Sequence, residues 1–215
     1  MVFRIESVLT GNVRPFADGK SSAIKKAAVE GPRAVGWLGI KGDVQADLSV
    51  HGGPDKAIHH YPHDHYTFWQ TALGALPALQ QAGAFGENIS TSGLVEDVAC
   101  IGDRYRLGTA LVEIAQGRQP CWKQAHRLMN PSVVATMVQS RRCGWYYRVI
   151  EEGGVAAGDD LALLDRPHPE WSVARVIGLL IAGEGKQDRA AVSALAALPV
   201  LADNWRKRAA KMADR

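Results

Sequence analysis

The sequence predicts a mainly β fold with inserted helices over residues 1–165, followed by a small three-helix appendage over residues 166–215. Three observations predict it. The first 165 residues hold short apolar and β-branched runs punctuated by glycine-rich turns. Arg166-Pro167-His168-Pro169 then makes a linker. Beyond it the apolar spacing changes to three and four residues, the period of a helix.

Val2 to Leu9 reads as the opening strand. Asp103 to Leu107 and Ala110 to Ala115 flank Gly108-Thr109, a hairpin signal. Trp145 to Ile150 is aromatic and β-branched, and Glu151-Glu152-Gly153-Gly154 reads as the turn after it. Leu161 to Leu164 closes the strand-rich part. Two helices are inserted. One runs from about His63 to Gly74 after Pro62, and one follows Asn130-Pro131, with Asn130 as cap and Pro131 in the first turn. In the appendage Ser172, Asp188 and Asp203 are read as the caps of three helices. Gly183 and Gly185 end the first of these, and Pro199 stops the second.

The chain has 215 residues, 47% hydrophobic and 22% charged, enough for one medium domain with an appendage. No apolar run approaches the roughly 18 residues of a membrane span. Arg4 and Glu6 stand where a signal peptide needs apolar residues, so no secretory leader is expected. Three widely spaced cysteines, Cys100, Cys121 and Cys143, argue for reduced thiols and a cytoplasmic location rather than a disulfide framework. The net charge of +3 is too small to imply nucleic acid. All of that excess lies between Asp203 and Arg215.

Four stretches carry candidate chemistry. Gly117-Arg118-Gln119-Pro120-Cys121-Trp122-Lys123 bends just past a strand and flanks a thiol with two cations. Nearby cations favour a thiolate, which serves as nucleophile or soft-metal ligand. Cys100 and Cys143 read instead as packed, inert thiols. His51-Gly52-Gly53-Pro54-Asp55-Lys56 lets backbone approach a ligand closely, with Lys56 suited to an anion and Asp55 to a donor. His51, His59, His60, His63 and His65 cluster there, at spacings that match no compact zinc pattern. Phe85-Gly86-Glu87-Asn88 places a carboxylate beside an amide. Ser22-Ala23-Ile24-Lys25-Lys26 is the weakest of the four.

Together these segments resemble the MOSC family, named after the C-terminal part of molybdenum cofactor sulfurase, and its YiiM-type branch with a three-helix tail. The resemblance rests on Gly42 to Asp47, His51 to Ala57, Tyr61-Pro62, Phe85 to Asn88, Ile101-Gly102-Asp103 and Arg118 to Cys121, in order and spacing. It covers nearly the whole chain. Gly117 is a departure, since family members often place proline there, and it is expected to loosen the loop. The resemblance implies a barrel-like β fold that binds the molybdenum cofactor (molybdopterin), with Cys121 as the protein ligand to molybdenum. It implies two-electron reduction of N-hydroxylated compounds such as 6-hydroxylaminopurine and amidoximes, a detoxification of base analogues. Catalytic roles then fall to Cys121, Asp55 and His59. Cofactor-binding roles fall to Lys26, His51, Lys56, Glu87, Asn88, Arg118 and Lys123.

The chain has no cysteine set for an iron–sulfur cluster and no dinucleotide glycine motif, so a separate electron-donor reductase is the expected partner. The basic last helix is a candidate docking surface for it. A homodimer contact, or cations that complement the helix dipole, are the other uses of that helix. Two other functions compete: a sulfur carrier with a Cys121 persulfide, and a non-catalytic binding module.

Overall fold

Strand Val2–Thr10 pairs with Asp160–Asp165 near the far end of the sheet, with Val2 opposite Ala162 and Phe3 opposite Leu161. That pairing closes a sheet into a barrel. In this computed structural model, residues 1–44 and 52–214 are described. The strands in chain order are β1 (Val2–Thr10), β2 (Arg14–Ala17), β3 (Lys20–Ser22), β4 (Ala27–Ala28), β5 (Arg33–Gly36), β6 (Gly39–Ile40), β7 (Ile58–His60), β8 (Ile89–Thr91), β9 (Arg104–Leu107), β10 (Ala110–Gly117), β11 (Trp145–Glu151), β12 (Gly153–Val155) and β13 (Asp160–Asp165). The helices are α1 (His65–Leu73), α2 (Trp122–Arg127), α3 (Val133–Ser140), α4 (Val173–Leu180), α5 (Arg189–Ala196) and α6 (Asp203–Ala213).

Seven strands close the barrel in the order β13, β9, β10, β11, β7, β8, β1 and back to β13. Neighbours are antiparallel, except that β7 runs parallel to β8. The fold is therefore mainly β with helices, as the sequence predicts. Closure leaves no open edge on the seven strands. Trp69, Trp145, Tyr61, Tyr105, Tyr147 and Phe85 are among the largest fully buried side chains. Burial of such a side chain stabilises the fold by roughly 1.5–3 kcal/mol.

The predicted strands all form, and so do both inserted helices. The turn expected at residues 151–154 is partly strand, because Gly153 and Gly154 pair with Val35 and Ala34 as β12. Helix α3 starts at Val133, with Ser132 as its N-cap. Asn130 acts two residues earlier, its side-chain oxygen accepting from Ser132 N at 2.9 Å and Ser132 Oγ at 2.7 Å.

Ser172 caps α4 and Asp188 caps α5, accepting from Arg175 N and Ala191 N. Asp203 does not cap α6. The cap is Ala202, whose amide is drawn to Ala115 O at 2.9 Å, and Asp203 sits in the first turn instead. Helices α4–α6 share one apolar core with the barrel. The linker is pinned: Arg166 Nη2 lies 2.7 Å from the carboxylate of fully buried Asp103. Among the described residues, no helix is long and apolar enough to cross a membrane.

Candidate active site

The site forms where β10 leaves the barrel. A register shift between Ile114 and Gln116 breaks the β10–β11 ladder, and the helices dock at that bulge through Ala115 O. Gly117 follows as the last residue of β10. A Cβ there would lie 2.9 Å from Ile177 Cγ1 and 3.0 Å from Trp205 Cη2. The expectation of a looser loop is thus corrected, because glycine here lets α4 and α6 close tightly onto the strand.

Arg118 comes next and is buried, with its amide donating to Gly144 O at 2.9 Å. Gly144 has φ +75°, and a Cβ on it would meet His60 O at 2.3 Å. Only glycine suits such a position. The chain then turns through Pro120 into α2, with Cys121 as its N-cap. Cys121 N donates to Gln124 Oε1 at 2.9 Å, and Gln124 N turns back to the Cys121 side chain. The thiol is half-buried and held from both sides of its own backbone.

Two cavities meet at this thiol. The first is a cleft of about 570 Å³, counting space open to solvent, bounded by Ser22, Ala23, Ile24, Val44, Phe85 and Gly86 and by the polar side chains of Lys26, Lys56, His59, Asn88, Arg118, Lys123 and Tyr146. Four of these are cations, and none of the described lining residues is a carboxylate. The second cavity is about 650 Å³ by the same measure. It shares Lys56, Arg118, Cys121 and Tyr146 with the first and adds Gln116, Gln119, Pro120, Asn204 and Trp205. The last two come from the start of α6, so the helical tail helps build the wall beside the thiol.

Electrostatics follow from burial. Burial pushes the Lys26 ammonium down, opposed by Asp43 at 2.7 Å. Burial also lowers Lys56, against the pull of Asp55. His59 is held well below the ordinary histidine range, first by burial and then by the Arg118 charge. It is neutral near pH 7. A backbone hydrogen bond ties its ring to Gly86, while Nε2 is buried with no partner among the described residues. Nε2 is then the acceptor of the two ring nitrogens. Arg118 Nη1 is likewise buried and unpartnered. Burial raises Tyr146, offset by its hydrogen bond and charge interaction with Arg118.

The structure brings together Cys121, His59, Lys26, Lys56, Asn88, Arg118 and Lys123 on the cleft. His51 lies outside the described residues. Two predicted residues are elsewhere. Asp55 does not line the cleft; its carboxylate accepts from Arg148 Nε at 2.8 Å, and Arg148 also reaches Glu113. Asp55 therefore fixes the short 3₁₀ turn that carries Lys56. Glu87 is fully buried, with its oxygens taken by Gly83 N, Phe85 N and Tyr66 OH. It holds the 83–87 loop rather than a ligand.

Asn88 lines the cleft, but it also accepts from His59 N and donates to Leu9 O, so it braces the wall. Of the other histidines in that cluster, His60 sits between Tyr147 OH and Thr91 Oγ1, His65 meets Glu96 at 2.6 Å, and His63 lies 3.6 Å from Glu6. Among the described residues, no group of three or more His, Cys, Asp or Glu could hold a metal.

Sequence reasoning missed Tyr146, Gln116 and Asp43. Gln116 and Tyr146 face each other across β10 and β11, which only the strand register reveals. Asp43 sits in the Gly42–Asp47 motif, but its partner Lys26 is 17 residues away.

Fold and site together define a barrel with a half-buried thiol at the edge of a cation-lined cleft. The MOSC domain model matches residues 47–162, just over half of the chain. The chain belongs to the MOSC family. Within it the chain falls with the YiiM-type proteins. It is 41% identical over 159 residues to Protein YiiM of Escherichia coli strain K12, covering 74% of this chain and 71% of that one. It superimposes on the crystal structure of YiiM from Geobacillus stearothermophilus with a TM-score of 0.83 and 33% identity, over 98% of this chain and 99% of that one. It is also 39% identical over 172 residues to a protein of Gibberella moniliformis strain M3125 / FGSC 7600 named Reductase. That match spans 79% of this chain and only 30% of the fungal protein.

Proposed function

We propose that this chain is a molybdenum cofactor-dependent reductase of N-hydroxylated compounds. One observation carries the reading: Cys121 stands at the edge of a cleft lined by four cations and, among the described residues, no carboxylate. The fit of the cofactor to these residues is tested by what they leave unsatisfied. Arg118 Nη1 and His59 Nε2 are buried without partners among the described residues, a donor and an acceptor each costing about 1–3 kcal/mol if left so. A phosphate-bearing, ring-containing ligand meets both needs.

Lys26, Lys56, Arg118 and Lys123 would hold the anionic end of the cofactor, and His59 Nε2 would accept from a ring N–H. Cys121 would supply the protein sulfur. When bound, the cofactor supplies the two-electron couple at molybdenum. Overall, a hydroxylamine R–NHOH takes up two electrons and two protons and gives R–NH2 and water. An amidoxime gives an amidine in the same way. His59 is neutral near pH 7, so its part is to orient rather than to donate from an imidazolium. The second cavity, with the side-chain amides of Gln116, Gln119 and Asn204 beside Cys121, offers an N-hydroxylated base both donors and acceptors. The reduced state that Cys121 needs supports a cytoplasmic location.

The test is direct. Chain produced in a host that makes the cofactor should carry near-stoichiometric molybdenum by elemental analysis. It should reduce benzamidoxime or 6-hydroxylaminopurine with dithionite-reduced methyl viologen. Cys121→Ser should lose both metal and turnover. A Cys121→Ser protein that keeps both, or a wild type that carries cyanide-labile sulfur and no molybdenum, overturns the reading.

A further inference from the structure

We propose that the groove between the last three helices is the docking surface for an acidic electron-donor protein. The proposal rests on the reductase reading above, which requires electrons that this chain has no centre to collect. The groove is about 1310 Å³, counting space open to solvent as for the cavities at Cys121. Its rim carries Lys186, Arg189, Arg208 and Lys211, and its apolar floor includes Ile181 and Met212. No described residue lining it is acidic.

The cations of this region fall into two sets. On α6, Arg206 and Lys207 pair with Asp203 at 3.1 and 2.6 Å. Arg208 and Lys211 on the same helix have no ion pair among the described residues, and neither do Lys186 and Arg189. The unpaired set is the set that gathers on the groove. Dipole complementarity accounts for only part of it. Lys211 lies in the last turn of α6 and Arg189 Nη1 donates to Ala213 O at the end of that helix at 3.4 Å, where cations are favourable, but Arg208 is in the middle of α6 and Lys186 lies outside α4–α6. Four like charges around one groove repel one another, and an acidic partner relieves that repulsion.

The groove also abuts the site. Arg208 Nη1 donates to Gln119 Oε1 at 3.3 Å, and Gln119 lines the second cavity with Cys121. A redox protein seated there brings its centre to the same side of the barrel as the thiol. The rim charges steer and orient the donor, and the apolar floor supplies short-range contact. Per N–O bond broken, two one-electron donors are oxidised, two protons are taken up, and oxygen leaves as water.

The probe is a plant-type [2Fe–2S] ferredoxin, an acidic one-electron donor. The comparison is between wild-type chain and Arg189→Glu/Lys211→Glu, two exposed positions outside the cavities at Cys121. Circular dichroism and thermal unfolding check that the variant folds. With cofactor-loaded protein, ferredoxin-driven reduction of benzamidoxime should fall at least tenfold in kcat/KM in the variant. Turnover driven by dithionite-reduced methyl viologen should stay within twofold. Raising sodium chloride from 50 to 300 mM should slow the wild type with ferredoxin and leave the variant nearly flat.

Oxidised ferredoxin should also bind the unloaded wild-type chain in calorimetry and bind the variant at least tenfold more weakly. That measurement stands even if viologen-driven turnover is absent, an outcome that would count against the reductase reading and not against the surface. A milder Arg189→Gln/Lys211→Gln variant should fall between the two. Equal ferredoxin binding and equal ferredoxin-driven rates in wild type and charge-reversed chain overturn the proposal. So does a wild-type dimer in sedimentation that the charge reversal dissociates, since the groove then belongs to a second copy.

Discussion

Gly117 lies directly beneath Trp205, so close that a Cβ on the glycine would stand 3.0 Å from the indole Cη2. Ile177 Cγ1 crowds the same point at 2.9 Å. The end of β10 and the helical tail are thus packed together two residues before the Gln119 that lines the second cavity. Gly117→Ala forces the indole or the isoleucine to shift. The expected loss is about 1–3 kcal/mol, the usual range for overpacking a core. Equilibrium unfolding in urea measures it. Because Trp205 walls the second cavity, the same variant should raise KM for the N-hydroxylated substrate more than it lowers molybdenum content. A Gly117→Ala protein of wild-type stability and wild-type KM would show that the tail is not seated as described.

What the sequence made legible were features decided locally. Ser172 and Asp188 cap their helices because a side-chain oxygen three residues ahead of an amide needs no distant partner. The Gly108-Thr109 hairpin is local in the same way, and so is the bent, cationic setting of Cys121. Features decided at long range were not legible. Helix α2 has six residues, too short to show a period. Strands β7 and β8 have three residues each and depend on pairing with each other and with β11 and β1. Glu87 and Asp55 stand in motif positions, yet their roles are set by Tyr66 and Arg148, which lie 21 and 93 residues away. Asp203 lost its cap position because Ala202 N is claimed by Ala115 O across the interface.

The Arg166–Asp103 pair is the joint between barrel and tail. Asp103 has no exposed side-chain surface and also accepts from Cys100 N at 3.0 Å and Tyr105 OH at 3.1 Å. Arg166→Ala leaves that carboxylate buried without its cation. The expected cost is about 3 kcal/mol, the lower end for breaking a buried pair, because Arg166 keeps some contact with water. Arg166→Lys should recover only part of it, since a single ammonium cannot reproduce two guanidinium bonds. Urea unfolding of the three proteins gives the order wild type, Lys, Ala. Alanine and wild type equal within 0.5 kcal/mol would show that the linker is not anchored here, given that independent surface changes stay about that small.

Buried neutral histidines make the fold acid-sensitive from a defined point. His60 is fully buried between Tyr147 OH and Thr91 Oγ1, each 3.0 Å away, and burial followed by the His65 charge drops it to about 3. His59 is depressed in the same sense by burial and then by Arg118. In the unfolded chain both return to the ordinary value near 6.5. Below that pH the unfolded chain binds protons that the folded one refuses, so stability falls as pH falls. The loss begins near 6.5 and, for His60, continues to about 3. His60 removes about 1.4 kcal/mol per pH unit in that window, or roughly 2 kcal/mol by pH 5, and His59 acts in the same direction. Urea unfolding of the unloaded chain should therefore show a stability lower by at least about 2 kcal/mol at pH 5 than at pH 7. His60→Gln keeps one polar partner and has nothing to titrate. It should be less stable than wild type at pH 7 but show a pH dependence smaller by about 2 kcal/mol over the same interval. An unchanged pH dependence in that variant would mean that His60 is not held neutral by its burial.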